Sequence, residues 1–241
     1  MSDLLIFTFI IMLGILVGSF AGFAGSLIAI PLYSIFFTPK DIIPAHSLVL
    51  LVVNAFLVFE SRKHLQWDKI WKLQVFGLLG VPVGAYCLAY LPSGVIRVII
   101  SVVTMIFGIL FLMKVDIRFN DGTLTQGSIG LLSGFLGGSI SEPGPPVVIY
   151  GLCRCWPKEI FRTNLLTYFT SLSAMSILSY FCLGMYHRDT LRFSLAAVIP
   201  AFLAGRIGTR IKNSVSEDSY KKVIIYIILA VAVLGLLKVF Y

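Results

Sequence analysis

The chain has 241 residues, of which 58% are hydrophobic and 12% are charged, and its mean hydropathy is +0.96. A water-soluble domain is about 45–50% apolar and about 25% charged, so this composition excludes one, as well as a disordered or collagen-like chain. It predicts an all-α polytopic membrane protein in a lipid bilayer. The net charge of +8 does not indicate a nucleic-acid partner, because the basic residues lie between apolar runs and form no single basic face.

The predicted spans follow from long runs without charge. Asp, Glu, Lys and Arg are absent from 36 consecutive residues at 4–39, from 24 at 73–96 and from 25 at 163–187. A membrane-crossing helix needs about 20 apolar residues. The chain starts with Met-Ser-Asp and has no basic segment there, so we expect no cleaved signal peptide.

The second half of the sequence repeats the first. Two motif pairs recur in the same order: GFAG at 22–25 with GFLG at 134–137, then TPKDI at 38–42 with WPKEI at 156–160. These matches predict two homologous transmembrane repeats, at 1–113 and 124–241. A cytoplasmic linker at 114–123 would join them.

Two topologies fit this repeat. If 3–37 and 124–152 are each one tilted span, the repeats are parallel and the basic residues divide nine to ten between the two sides. If each run breaks and turns back, the repeats are inverted and fourteen of the 19 basic residues lie on one side. The positive-inside rule favours the inverted repeats, with about eight full spans, two short or re-entrant segments and both termini outside the cytoplasm.

Glycine and proline mark the two expected breaks, at Gly22–Ser26 and near Ser139–Pro146. Pro143, Pro145 and Pro146 stop helix propagation. Backbone groups freed at membrane depth must be buried in protein or line a wet cavity, and the N-terminus of a half-helix attracts anions. Paired interrupted helices in inverted repeats are typical of secondary transporters, with the substrate site near the membrane midplane.

The candidate substrate-binding residues lie in these breaks or in spans at matching positions of the two repeats. They are Gly25, Ser26, Ser47, Asn54, Ser139, Ser141, Gly144 and Asn164. Their hydroxyl, amide and backbone groups could bind a small anionic substrate. The alternative is a structural role, with close helix packing for the glycines, as for Gly14 and Gly18, and interhelical hydrogen bonds for the asparagines.

Glu142 is an acidic residue inside the second break, between apolar runs. Carboxylates at membrane depth are costly and usually functional, and a desolvated carboxyl holds its proton to higher pH. Glu142 is therefore the candidate proton carrier. Two other interpretations stay open: it caps the half-helix, or it is solvated because the break reaches water.

We expect no enzyme activity, no catalytic residues, no metal site and no cofactor. The four cysteines form no CxxC pair, and we interpret them as reduced thiols. An intramembrane enzyme is disfavoured because the chain has three histidines and neither an HExxH nor a GxSxG motif.

The segments Gly22–Pro31 and Gly134–Pro146, with GPPVVIY at 144–150, resemble the paired motifs of the TauE/SafE sulfite exporter family of bacterial permeases. The resemblance covers nearly the whole chain. It implies a multi-pass protein of the bacterial cytoplasmic (inner) membrane that exports small sulfur-containing anions such as sulfite or sulfonates. The chain departs from the family pattern at Ser26–Ile30 and Ile140–Glu142, where typical motifs are richer in glycine. Glu142 would repel an anion unless it were protonated, which favours proton coupling or a different substrate.

These observations together predict a secondary transporter of small sulfur-containing or organic anions that works by alternating access. A non-transporting membrane subunit or an anion channel is the alternative. A homodimer is also compatible with the sequence.

Overall fold

The computed structural model describes residues 2–21, 25–113, 122–211, 226 and 228–235. The described residues form helices and no strand. The helices are α1 Ser2–Ala21, α2 Gly25–Phe36, α3 Pro39–Ser61, α4 Trp71–Tyr90, α5 Ser93–Met113, α6 Thr123–Ile140, α7 Gly144–Cys153, α8 Lys158–Cys182 and α9 Arg188–Ile211. Two short 3-10 turns, Arg62–His64 and Trp67–Lys69, join α3 to α4. Most of the predicted linker, 114–121, lies outside the described residues.

Six of these helices are long and apolar enough to cross a membrane: α1, α3, α4, α5, α8 and α9. Two shorter apolar helices, α2 and α7, follow α1 and α6. A polytopic all-helical protein is thus confirmed, while the count of eight spans stays a prediction, as does the inverted arrangement.

The exposed face of α4 has the residue pattern of a lipid-facing helix. Val75, Leu79 and Val83 recur every four residues and are about half exposed. Trp71 lies near one end of this stripe, and the packed rings of Tyr86 and Tyr90 lie near the other. Apolar residues between two aromatic ends match a hydrocarbon layer with its two interfaces.

The chain divides into two compact units. Unit 1 comprises 1–46, 91–115 and 187–241, and therefore holds α1, α2, the start of α3, α5 and α9. In unit 1, α1 packs along α9 and against α2. The contact with α9 uses small residues, because a Cβ added to Gly208 would lie 2.8 Å from the backbone oxygen of Leu16.

Within unit 1, α2 folds back on α1. A Cβ added to Gly14 would lie 2.9 Å from the Cβ of Ala29, although the two residues would be about 22 Å apart in one continuous helix. The interpretation of 3–37 as a single tilted span is therefore wrong, and the expected turn-back is confirmed. Gly22, Phe23 and Ala24, which belong to the expected break at Gly22–Ser26, lie outside the described residues.

Unit 2 comprises 47–90 and 116–186, with the rest of α3 and all of α4, α6, α7 and α8. Its main contact joins α4 to α6. Gly134 of α6 lies directly against the backbone oxygen of Gly77 in α4. Glycine at these positions lets the two backbones touch, as small residues do in membrane helix pairs.

Candidate functional site

The second break is short and fully described in the structure. Helix α6 ends at Ile140, and Ser141 then takes a left-handed backbone conformation, with φ 55° and ψ 30°. The Ser141 N–H donates to the Gly137 oxygen at 3.1 Å, and the Glu142 N–H donates to the Leu136 oxygen at 3.3 Å. These two bonds close the C-terminus of α6. Pro143 follows, and α7 begins at Gly144.

A cluster of buried hydroxyl groups surrounds this break in unit 2. The Oγ atoms of Ser47 and Ser141 lie 3.2 Å apart. The Tyr180 hydroxyl donates to the Gly138 oxygen at 2.7 Å, and the side chains of Ser47 and Ser176 lie near it. We call Ser47, Ser141, Ser176 and Tyr180 the hydroxyl cluster. All four side chains are buried, so a ligand that reached them would exchange hydrogen bonds to water for hydrogen bonds to these hydroxyl groups.

Tyr180 was not among the predicted site residues. The signal for it in the sequence is weak: a tyrosine one turn after Ser176, in a predicted span that holds several other polar residues. Its partner Gly138 lies 42 residues away along the chain. Helix pattern alone does not reveal such a pairing.

Glu142 lies inside unit 2, with 1% of its surface exposed. Both carboxyl oxygens are buried. The interpretation of Glu142 as a carboxylate solvated at the break is therefore wrong. A carboxyl group at this depth is costly to ionise, which keeps the proton-carrier hypothesis open.

The start of α7 offers fewer backbone donors than a typical helix N-terminus. Pro143, Pro145 and Pro146 have no N–H group, so the Gly144 N–H is the one donor among residues 143–146. An anion at this end of α7 would be bound by that N–H, by the positive end of the helix dipole and by nearby hydroxyls.

Three other predicted residues of unit 2, Ser139, Asn54 and Asn164, are not members of the hydroxyl cluster. Ser139 is buried, and its hydroxyl donates to the Phe135 oxygen within α6 at 2.7 Å. Asn54 is half-buried, about 10 Å beyond Ser47 along α3.

Asn164 lies about 24 Å from Tyr180 along α8, from the rise of the helix. Its Oδ1 accepts a bond from the Gln66 N–H at 3.0 Å, which ties α8 to the turn after α3. Its Nδ2 is buried and has no partner in the described part of the chain.

The predicted residues of unit 1, Gly25 and Ser26, begin α2. Gly25 packs on α1, where an added Cβ would lie 2.7 Å from the Gly14 oxygen. This contact confirms the packing role expected for Gly14. Ser26 Oγ lies 3.3 Å from His46 Nε2, and the buried His46 Nδ1 lacks a hydrogen-bond partner among the described residues. The predicted site did not include His46.

Comparison with known proteins gives one family. The family model described as Sulfite exporter TauE/SafE matches residues 6–234, nearly the whole chain. A search of curated proteins gives no match, and neither does a search of solved structures.

Proposed function

The chain belongs to the sulfite exporter TauE/SafE family of membrane transporters, and from that premise we propose a secondary transporter of small sulfur-containing or organic anions. Sulfite and sulfonates are the first candidates, and export across the cytoplasmic membrane is the proposed direction. The single observation that carries the proposal is the buried break between α6 and α7. It places hydroxyl donors, a helix N-terminus and a carboxyl group in one apolar unit.

The chemistry of this break suits a small oxyanion. Ser47 and Ser141 can each turn an O–H toward a ligand, and the Gly144 N–H begins a helix whose positive end favours negative charge. The buried surroundings strengthen each of these interactions relative to water. We therefore propose Ser47, Ser141 and Gly144 as direct ligands of the anion.

We further propose that Glu142 carries a proton. Ionised, it would repel the anion that its neighbours bind, whereas protonated it would not. Binding of the anion and protonation of Glu142 would then favour each other, which is the linkage that a proton-coupled carrier needs.

The contacts within each unit support two related repeats, and the distribution of basic residues favours their inversion. In the proposed repeat, α1, α2 and α4 of the first half correspond to α6, α7 and α9 of the second half. The contact of α1 with α9 is then equivalent to the contact of α6 with α4. The contacts of α1 with α2 and of α6 with α7 also correspond. On this basis we retain two repeats, 1–113 and 124–241, and alternating access as the mechanism.

The test is uptake of labelled sulfite and small sulfonates into proteoliposomes under an imposed pH gradient. We expect wild-type flux to follow the gradient and the Glu142→Gln variant to lose that dependence. Glu159→Gln, the same change at an exposed position of α8, is the matched control and should behave as wild type.

The other outcomes are equally definite. Gradient-dependent flux that persists in Glu142→Gln would remove the proton-carrier role. An uncoupled, pH-insensitive conductance would identify a channel. Absence of flux for every sulfur anion, with folded protein in the membrane, would contradict the proposed substrate class.

A further inference from the structure

A polar cleft opens at one end of unit 1, and its lining shares no residue with the hydroxyl cluster. Its volume is about 650 Å³, which is the size of a small-ligand site. It lies where α1, α3, α5 and α9 begin and where α2 ends. Because those four helices are candidate membrane spans, the cleft lies at a membrane boundary.

Charged side chains of both signs line this cleft. The acids are Asp3, Asp41 and Asp189, and the bases include Arg97 and Arg192. Within the described ranges no ion pair joins these acids to these arginines. Opposite charges in one cleft that do not neutralise each other leave both signs available to a ligand.

The helix dipoles account for the acids but not for the arginines. Asp3, Asp41 and Asp189 each lie in the first turn of a helix, where negative charge is favourable. Arg97 and Arg192 are each the fifth residue of a helix, close to an end where positive charge is unfavourable. A negatively charged group close to the two arginines would therefore be stabilising.

Arg97 is already held in place for such a partner. Its Nη2 donates to the Phe37 oxygen at 3.2 Å. Its Nε is buried and has no hydrogen-bond partner among the residues that the structure describes. A guanidinium anchored at one nitrogen can offer its other N–H groups to an oxyanion in a fixed fork. The apolar side chains of Phe37 and Phe193 also line this cleft.

We propose that this cleft binds a ligand that carries both an ammonium group and an oxyanion group. The oxyanion lies toward Arg97 and Arg192, and the ammonium lies toward the aspartates. A simple anion would face three carboxylates, and a simple cation would face two arginines, so neither satisfies the cleft. The phosphatidylethanolamine head group and free phosphoethanolamine share the required chemistry. The inference does not depend on the proposed transport function.

The first experiment measures binding to the full chain in nanodiscs made of phosphatidylglycerol, by calorimetry at low salt. The probes are phosphoethanolamine, inorganic phosphate and ethanolamine. We expect phosphoethanolamine to bind at least about threefold more tightly than either single-charge probe, the gain expected from one additional exposed ion pair. Phosphate that binds as tightly as phosphoethanolamine would overturn the proposal.

Lipid composition distinguishes the two sources of this ligand. If the cleft holds a lipid head group, nanodiscs that contain phosphatidylethanolamine will no longer bind phosphoethanolamine. If it holds a free solute, the lipid will not compete. Both outcomes support the proposed chemistry, and they assign its natural source.

Variants that each remove one charge test whether phosphoethanolamine binds in this cleft. Arg192→Gln and Asp189→Asn should each weaken phosphoethanolamine binding about three- to fivefold. Lys63→Gln and Asp68→Asn, the matched changes in the segment between α3 and α4, should leave it unchanged. Arg192 and Asp189 are exposed and make no ion pair in the described residues, so we expect their variants to fold. Arg97 is not used for this test, because it donates a hydrogen bond to the Phe37 oxygen and its Nε is buried. Equal weakening by cleft and control variants would contradict the assignment.

Discussion

At the scale of single residues, Ser141 combines an unfavourable backbone with a buried hydroxyl. Its φ of 55° costs a residue with a side chain about 1–2 kcal/mol compared with glycine. The same residue closes the end of α6 and lies 3.2 Å from Ser47 through its hydroxyl. Glycine would suit the backbone better, so the hydroxyl group is the feature that argues for serine.

Two substitutions separate these roles of Ser141. We expect Ser141→Gly to be about 1 kcal/mol more stable than Ser141→Ala, because both lose the hydroxyl but glycine alone relieves the backbone. Thermal unfolding in detergent measures this difference. If the hydroxyl binds substrate, both variants will lose flux of the transported anion. Full flux in Ser141→Gly would instead limit the role of Ser141 to shaping the break.

At the scale of helices, close glycine contacts hold α4 and α6 together. Gly130 and Gly134 of α6 face backbone atoms of α4, and a Cβ on Gly130 would lie 2.6 Å from the Leu73 oxygen. Lipid gives no hydrophobic force between membrane helices, so such pairs depend on close packing and weak backbone contacts. The break at Ser141 is thus attached to a helix that α4 holds rigidly.

Gly134→Ala tests this contact. The added methyl group would meet the Gly77 oxygen, a backbone atom that cannot rotate away, so we expect a loss of about 1–3 kcal/mol in stability. The measurement is the unfolding midpoint in detergent. Gly94→Ala is the control, because nothing lies within 4 Å of its added Cβ. Equal midpoints for the two variants would show that α4 and α6 are not in close contact.

At the scale of the whole molecule, orientation in the membrane follows from charge. The positive-inside rule predicts that the segment before α8 is cytoplasmic and that the segment after it is outside. Helix α8 has 25 residues, about 37 Å from end to end, which is enough to cross the membrane. Native cysteines lie near both ends, at Cys155 and Cys182, and both are exposed.

Thiol labelling of intact cells tests this orientation. In variants that keep one cysteine each, we expect a membrane-impermeant reagent to label Cys182 from outside and Cys155 only after permeabilisation. His187→Cys in a cysteine-free chain provides a second reporter in the exposed segment after α8. The reverse pattern would invert the topology, and labelling of both sites from one side would show that α8 does not span.

The class of the protein and the positions where its helices stop could be predicted from the sequence. Charge-free runs and composition predict spans because burial in lipid depends on local hydropathy. Proline and glycine placed the second break near Ser139–Pro146, and the structure has it at Ser141–Pro143. These features depend on neighbours in the chain, so the chain alone specifies them.

The polar groups that contact one another could not be predicted from the sequence and are seen only in the folded chain. The bond from Tyr180 to Gly138, and that between Asn164 and Gln66, join residues 42 and 98 positions apart. Such partners depend on how helices distant in sequence pack, and helical periodicity gives the face of a side chain but not the helix opposite it. For the same reason Ser47 and Ser141 cluster with Tyr180, which was not predicted, while Asn164, predicted together with the two serines, lies near the other end of α8.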